Sequence, residues 1–236
     1  LLVGAVAAAL LSVVVGPIMF RLRGHYFAIG TLALAAILQL VLLDQRSVSG
    51  GSSGYYLDAG MGEIPTYLIT LFATVLTVVV VYYVVESRLG LGMQAIHGDE
   101  EAASGLGVNP LLYKMYAFVI SSFFAGLAGG LYAQYSLYVN PESTLSVTWT
   151  ISTLVVVVLG GMGTFTGPIL GAVLFLGLDN FLSAIVGELA TSVEGVLIIA
   201  FMIFLPAGLY GVLSDRVLDR DRDPTNIGGE RTTEEG

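Results

Sequence analysis

Long apolar runs alternate with short polar interruptions along this chain, and the length of each run predicts its element. Residues 1–20 form the first run. At 1.5 Å per residue, about 20 helical residues match a hydrocarbon layer ~30 Å thick. Arg21-Leu22-Arg23 closes the run, and residues 26–43, 64–85 and 115–135 repeat the pattern. The third run is rich in Val and Ile, which favour strands. A lone strand in lipid would leave its backbone groups unpaired, so helix is expected there too. Residues 149–159 are apolar but short, Gly160-Gly161-Met162-Gly163-Thr164 interrupts, residues 165–186 resume, and residues 193–213 form the last run. The expected fold is an all-α polytopic membrane protein with about seven transmembrane helices, one of them short or broken. A membrane domain over residues 1–213 is followed by a polar tail, 214–236, with no apolar period and expected to be disordered. The chain starts inside an apolar run, without Met and without a basic leader. It is therefore not read as a signal peptide, and further spans are expected ahead of it.

Two interruptions are long. Residues 44–62 are rich in Gly and Ser, and Gly50-Gly51-Ser52-Ser53-Gly54 predicts a flexible external loop. Residues 86–114 are the longest, and gather six of the 27 charged side chains together with His97. Within them Asp99 is a fitting N-cap, Glu100 and Glu101 suit the positive end of a helix dipole, and Gly107 or Gly105 suits a left-handed C-cap. Ala102 and Ala103 favour helix and let another surface come close. Residues 99–107 thus predict one short, smooth, capped helix at the membrane surface.

Composition agrees with the membrane reading. Hydrophobic residues make up 56% of the chain and charged ones 11%, against roughly 25% charged in soluble domains. The formal charge is −9, and only one of nine basic residues is Lys; that acid-rich, Lys-poor balance suits a host with high internal salt. No nucleic-acid partner is expected. With residues 86–114 in the cytoplasm, Arg21, Arg23, Arg88, Lys114, Arg216, Arg220, Arg222 and Arg231 all fall inside and only Arg46 outside, as the positive-inside rule asks. A re-entrant 149–159 would turn that score to four against five, so a full or nearly full crossing is expected there.

Few residues invite chemistry. There is no cysteine, and His25 and His97 have neither metal-ligand spacing nor an acid and nucleophile beside them, so no enzyme and no metal site is expected. Gly160, Gly161 and Gly163 lack the Lys-Ser/Thr of a phosphate loop. They are read as close helix packing or as open backbone lining a path. Asp179 and Asn180 lie inside the sixth run; a charge near mid-membrane costs about 2.5–3.5 kcal/mol, so Asp179 should face protein or water. It either lines a translocation path or sits near the external end, paired with Asn180 or a neighbour. Gln39 is expected to make a helix–helix hydrogen bond, and the small residues around Ala125, Gly126, Ala128, Gly129 and Gly130 to pack helices, at a sister-subunit interface among the options.

Glu101-Ala102-Ala103, three residues and then Gly107 resemble the EAA loop of ABC importer permeases. The wider match is to branched-chain amino acid permeases of the LivM and LivH type. It runs through Arg21-Leu22-Arg23-Gly24, Tyr26-Phe27-Ala28-Ile29, Ser87-Arg88-Leu89-Gly90, Leu106-Gly107-Val108-Asn109, Leu159-Gly160-Gly161-Met162-Gly163-Thr164 and Gly167-Pro168, in order, from about Arg21 to Gly171. Two departures stand out: there is less arginine between Gly90 and Gly98 than such loops carry, and the Leu-Pro ending of the wider EAA motif is absent. The resemblance implies a permease subunit of an ATP-driven importer in the cell membrane, for branched-chain or related amino acids. It implies no cofactor of its own, because partner subunits bind ATP. Two ATPase subunits, a sister permease and an extracellular or periplasmic substrate-binding protein would complete the machine. Asp99, Glu100, Glu101, Ala102, Ala103 and Gly107 would form the ATPase-coupling surface. The rival reading is an ion-coupled secondary transporter working through Asp179.

Overall fold

The computed structural model describes residues 1–22, 24–46, 50–57, 62–187 and 195–196. Helices dominate it. They are α1 (Leu2–Met19), α2 (His25–Asp44), α3 (Glu63–Glu86), α4 (Arg88–Gly98), α5 (Glu100–Gly105), α6 (Pro110–Ser136), α7 (Pro141–Thr144), α8 (Val147–Gly160) and α9 (Gly167–Val186). Four of these, α1, α2, α3 and α6, and the stretch Pro141–Gly160 are long and apolar enough to cross a membrane. The expected last span, 193–213, lies outside the described residues except for 195–196, and so does the whole tail. Large apolar side chains such as Leu10, Ile37, Phe72 and Val173 stand exposed, while the interior is made of a few small or medium residues, among them Ala5, Ala73 and Leu131. This is the inverse of a water-soluble core and fits a chain whose solvent is lipid.

Two compact units divide the chain, Leu1–Val147 and Thr148–Gly236. In the first, α1 lies along α6. A Cβ placed on Gly126 would come within 2.7 Å of Ala8 Cβ and 2.9 Å of the Gly4 carbonyl oxygen, so the backbones approach as closely as small residues allow. The Gly126 face of the small-residue stripe is thus taken up inside the chain by α1. Where α1 gives way to α2, the rings of Phe20 and Phe27 stack at 5.8 Å. Along its length α2 buries no residue. Near its far end Gln39 Nε2 donates to the Glu142 carbonyl at 3.3 Å, the inter-element hydrogen bond expected of it, made to the backbone of α7.

Residues 50–57 of the glycine-rich loop include regular structure. Gly51–Ser53 make one 3₁₀ turn, and Tyr55–Tyr56 pair antiparallel with Tyr138–Val139. Gly54, at φ +64°, lies against the pairing strand, where a Cβ would sit 2.9 Å from Asn140 Cβ. A two-residue ladder needs little sequence signal, and its partner is 83 residues away, so no local pattern announces it.

The described part of the second unit is a glycine-hinged hairpin. α8 has 14 residues, about 21 Å of helix, which is short of the hydrocarbon layer. It stops at Gly160, and Gly161 (φ +115°) and Gly163 (φ +83°) take the left-handed backbone that turns the chain. Thr164 Oγ1 donates to the Gly161 carbonyl at 3.0 Å and accepts from Gly167 N–H at 3.1 Å, closing the turn onto the start of α9. A Cβ on Gly160 would overlap the Gly167 carbonyl, and one on Gly171 would overlap the Val156 carbonyl. Of the glycine run, Gly160 serves close helix packing, while Gly161 and Gly163 serve the turn.

Candidate functional site: the surface segment between two long helices

The segment that leaves α3 and enters α6 is built almost wholly of helix. At its start Ser87 does two jobs: its hydroxyl donates to the Val84 carbonyl at 2.7 Å, ending α3, and accepts from Leu89 N–H at 3.1 Å, starting α4. The reversal is so tight that a Cβ on Gly90 would overlap the Val85 carbonyl. Glycine is required there by close approach, not by an unusual φ. One loop with a single short helix was expected in residues 86–114; two helices, α4 and α5, occupy it. Gly90, Gly92 and Gly98 lower helix propensity and hide α4 from a composition reading. The apolar positions Leu89, Met93 and Ile96, all half-buried, recur at helical spacing behind a Ser cap and are the signal that would have found it.

α4 approaches α6 closely at Gly92. A Cβ on Gly92 would lie 2.7 Å from Cδ1 and from Cζ of Tyr113, so the phenol ring rests on bare backbone. The ring is itself buttressed edge-on by Tyr116, with centroids 6.4 Å apart. Tyr113 was not singled out as functional from the sequence, because nothing local tells that its ring meets Gly92.

α5 has the caps its residues predict. Asp99 Oδ1 accepts from Glu101 N–H and Ala102 N–H, both at 2.9 Å. At the other end Gly107 (φ +89°) sends its N–H to the Ser104 carbonyl, and Val108 N–H reaches the Ala103 carbonyl, both at 3.0 Å, which together form a Schellman cap. Lys114 Nζ meets Glu100 Oε2 at 2.6 Å and pins α5 to α6. Both partners are substantially exposed, so this ion pair contributes at most about 1 kcal/mol. Asn109 Oδ1 then caps α6, accepting from Leu111 N–H at 3.1 Å.

The two alanines do not share a face. Ala103 is 3% exposed and is the anchor of α5, whereas Ala102 is exposed. The smooth surface expected of both alanines is therefore provided by Ala102 alone, with Glu101, Ser104 and Gly105 beside it. A six-residue helix with one buried position turns everything else outward. At its end Leu106 is 87% exposed, and Leu91 on α4 is 63% exposed. Leu106 is a large apolar side chain that the EAA pattern does not single out. His97 is exposed in the last turn of α4, and no group of three metal-ligating side chains occurs among the described residues.

The remaining candidates lie on the second unit. Asp179 is half-buried, 13th of the 20 residues of α9. The pairing with Asn180 does not form: Asn180 Nδ2 donates to the Leu176 carbonyl of its own helix at 2.7 Å. Gly160 and Gly161 are buried in the hairpin and Gly163 is exposed in its turn.

Comparison with known proteins agrees with this architecture. The family described as branched-chain amino acid transport system / permease component matches residues 1–206. The chain is 32% identical over 88% of its length to the high-affinity branched-chain amino acid transport system permease protein LivM of Salmonella typhimurium, and 30% identical over 88% to the LivM of Escherichia coli. It is 27% identical over 72% of its length to the LivH permease of Escherichia coli. The chain spans 56% of the length of those LivM proteins and 54% of that LivH protein. No solved structure matches. The relatives are transport permeases, not enzymes. A mostly helical multi-pass chain, apolar on its outside and matched over nearly its whole length, belongs to the branched-chain amino acid transport permease family.

Proposed function

We propose that this chain is the membrane-spanning permease of an ATP-driven importer of branched-chain or related amino acids in the cell membrane. Residues 86–114 and the tail face the cytoplasm in this reading. The observation that carries it is the construction of α4 and α5. They form a rigid, doubly capped surface element joined without slack to α3 at Ser87 and to α6 at Asn109, with Ala102, Leu106 and Leu91 turned outward. Partner subunits that bind ATP would seat Leu106 and the Ala102 face in a groove. On ATP binding they would push the pair, and α3 and α6 would tilt with it. A smooth alanine lets the partner backbone come close, and an exposed leucine at a helix end supplies the apolar anchor that interfaces use. A sister permease and an external binding protein complete the assembly.

The chain has no cysteine, which makes the test direct. Leu106→Cys and Ala102→Cys in the assembled complex should each cross-link to an ATPase subunit through a short thiol reagent. Uptake of labelled leucine into vesicles should require ATP on the side that carries these residues. Modification of Ala102→Cys in intact cells by a membrane-impermeant reagent added outside would invert the geometry and end the proposal.

A further inference from the structure

A cavity of about 1100 Å³ opens between α3 and α6, in the first unit, at the ends of these helices away from α4 and α5. We propose that it is the outward half of the cargo path, and that it takes a small zwitterion with a short apolar side chain. The proposal rests on the permease reading above and adds where the cargo passes and which groups meet it.

The wall contributed by α3 is a polar stripe on an apolar helix. Glu63, Thr66, Thr70 and Thr74 all line the cavity. At about 100° per residue they fall within one arc of roughly 80°, while Leu68 points the opposite way. Each threonine hydroxyl donates its proton at 2.8 Å to the carbonyl four residues back: Thr66 to Gly62, Thr70 to Thr66, Thr74 to Thr70. A hydroxyl that donates in this way keeps lone pairs as acceptors and has no spare donor. Glu63 adds a carboxylate at the mouth. This wall suits an ammonium group.

α6 contributes the complement. Gln134 Nε2 is buried and has no hydrogen-bond partner among the described residues. Leaving such a donor unpaired in a membrane protein is costly, and lipid tails offer nothing to accept it. Gln134 lines the cavity, and a turn of its amide would present that donor to a water or a carboxylate passing through. Ala128 and Leu131 lie on the same helix and give the apolar part of the wall. An ammonium near Glu63 and the threonines, a carboxylate at Gln134 and an aliphatic side chain on Ala128 and Leu131 describe an α-amino acid.

Depth and connection both fit a half-channel. From Glu63 to Thr74 is 11 residues, about 17 Å of helix, which reaches the middle of a ~30 Å layer. The two helices that frame the cavity are also the two that the α4 and α5 segment joins at their opposite ends. A tilt imposed there would widen or narrow this space.

The experiment uses the complete transporter in vesicles, with single cysteines at Thr70, Thr74 and Leu68. A charged, membrane-impermeant thiol reagent added from the cargo's entry side should modify Thr70→Cys and Thr74→Cys at least tenfold faster than Leu68→Cys. Loading with leucine and binding protein should slow the first two several-fold and leave the third unchanged. Gln134→Leu should lower the maximal uptake rate at least tenfold with assembly intact, and Gln134→Asn should recover part of it. Equal reactivity at the three positions, or no protection by leucine while leucine uptake proceeds, would overturn the proposed path. A wild-type complex that moves no amino acid at all would instead remove the permease reading beneath it.

Discussion

Gly92 and Tyr113 meet where α4 approaches α6, and replacing the glycine gives a worked prediction. Gly92→Ala places a methyl in overlap with Cε1 of the Tyr113 ring and 2.7 Å from Cδ1 and Cζ. Ordinary carbon–carbon contact is about 3.5–4.0 Å, so the ring or α4 must shift by more than about 1 Å. The ring has Tyr116 behind it, which leaves α4 as the element that gives. Overpacking of this kind costs about 1–3 kcal/mol. At about 1.4 kcal/mol per factor of ten, the ratio of seated to displaced α4 falls roughly 5- to 150-fold. The assembled transporter should keep its ATPase activity but move less cargo per ATP hydrolysed, and its midpoint of thermal inactivation in detergent should drop. Tyr113→Leu removes the ring edge and should restore part of both readouts in the Gly92→Ala background. The coupling energy of the double-mutant cycle should then oppose the single effects. Unchanged cargo per ATP in Gly92→Ala, or a double variant as damaged as the sum of the two singles, would refute the claim that this contact transmits the push.

Three further outcomes follow from the same geometry. Ala102→Glu, on the exposed face, should insert and fold normally and lose productive contact with the ATPase subunits. Ala103→Glu should act differently, because it forces a carboxylate into a 3% exposed site; α5 should detach and become protease-sensitive, read by limited digestion in vesicles. Asp99→Ala removes the acceptor of two backbone N–H groups and should cost about 1 kcal/mol of α5 stability, lowering cargo flux in proportion, while Asp99→Ser keeps a cap and should behave nearly as wild type. Asp179→Asn should leave ATP-driven uptake largely in place; uptake that survives removal of the ATPase subunits but not loss of Asp179 would favour the ion-coupled reading.

How much was legible beforehand divides along a physical line. Helix versus strand, the approximate spans and the caps at Asp99 and Gly107 could be read from residue order, because each depends on groups within a few positions of one another. Lipid also removes the competing options: a backbone that has no water must satisfy itself locally, so an apolar run of the right length has few alternatives. The order of motifs likewise pointed to the family before any fold was known. What residue order did not decide was which side of a short helix is buried. Ala102 and Ala103 are identical in type and adjacent, and only the seating of α5 within the first unit turns one inward and the other out. The tethered loop, with Tyr55–Tyr56 against Tyr138–Val139, depends on partners far apart in the chain. So does the pressing of Gly92 on Tyr113. The threonine stripe is local to α3, yet it becomes a cavity wall only because α6 stands opposite with Gln134. Local hydrogen bonding is written along the chain, whereas the meeting of two surfaces depends on how both helices are placed, and that placement is set by packing over the whole unit.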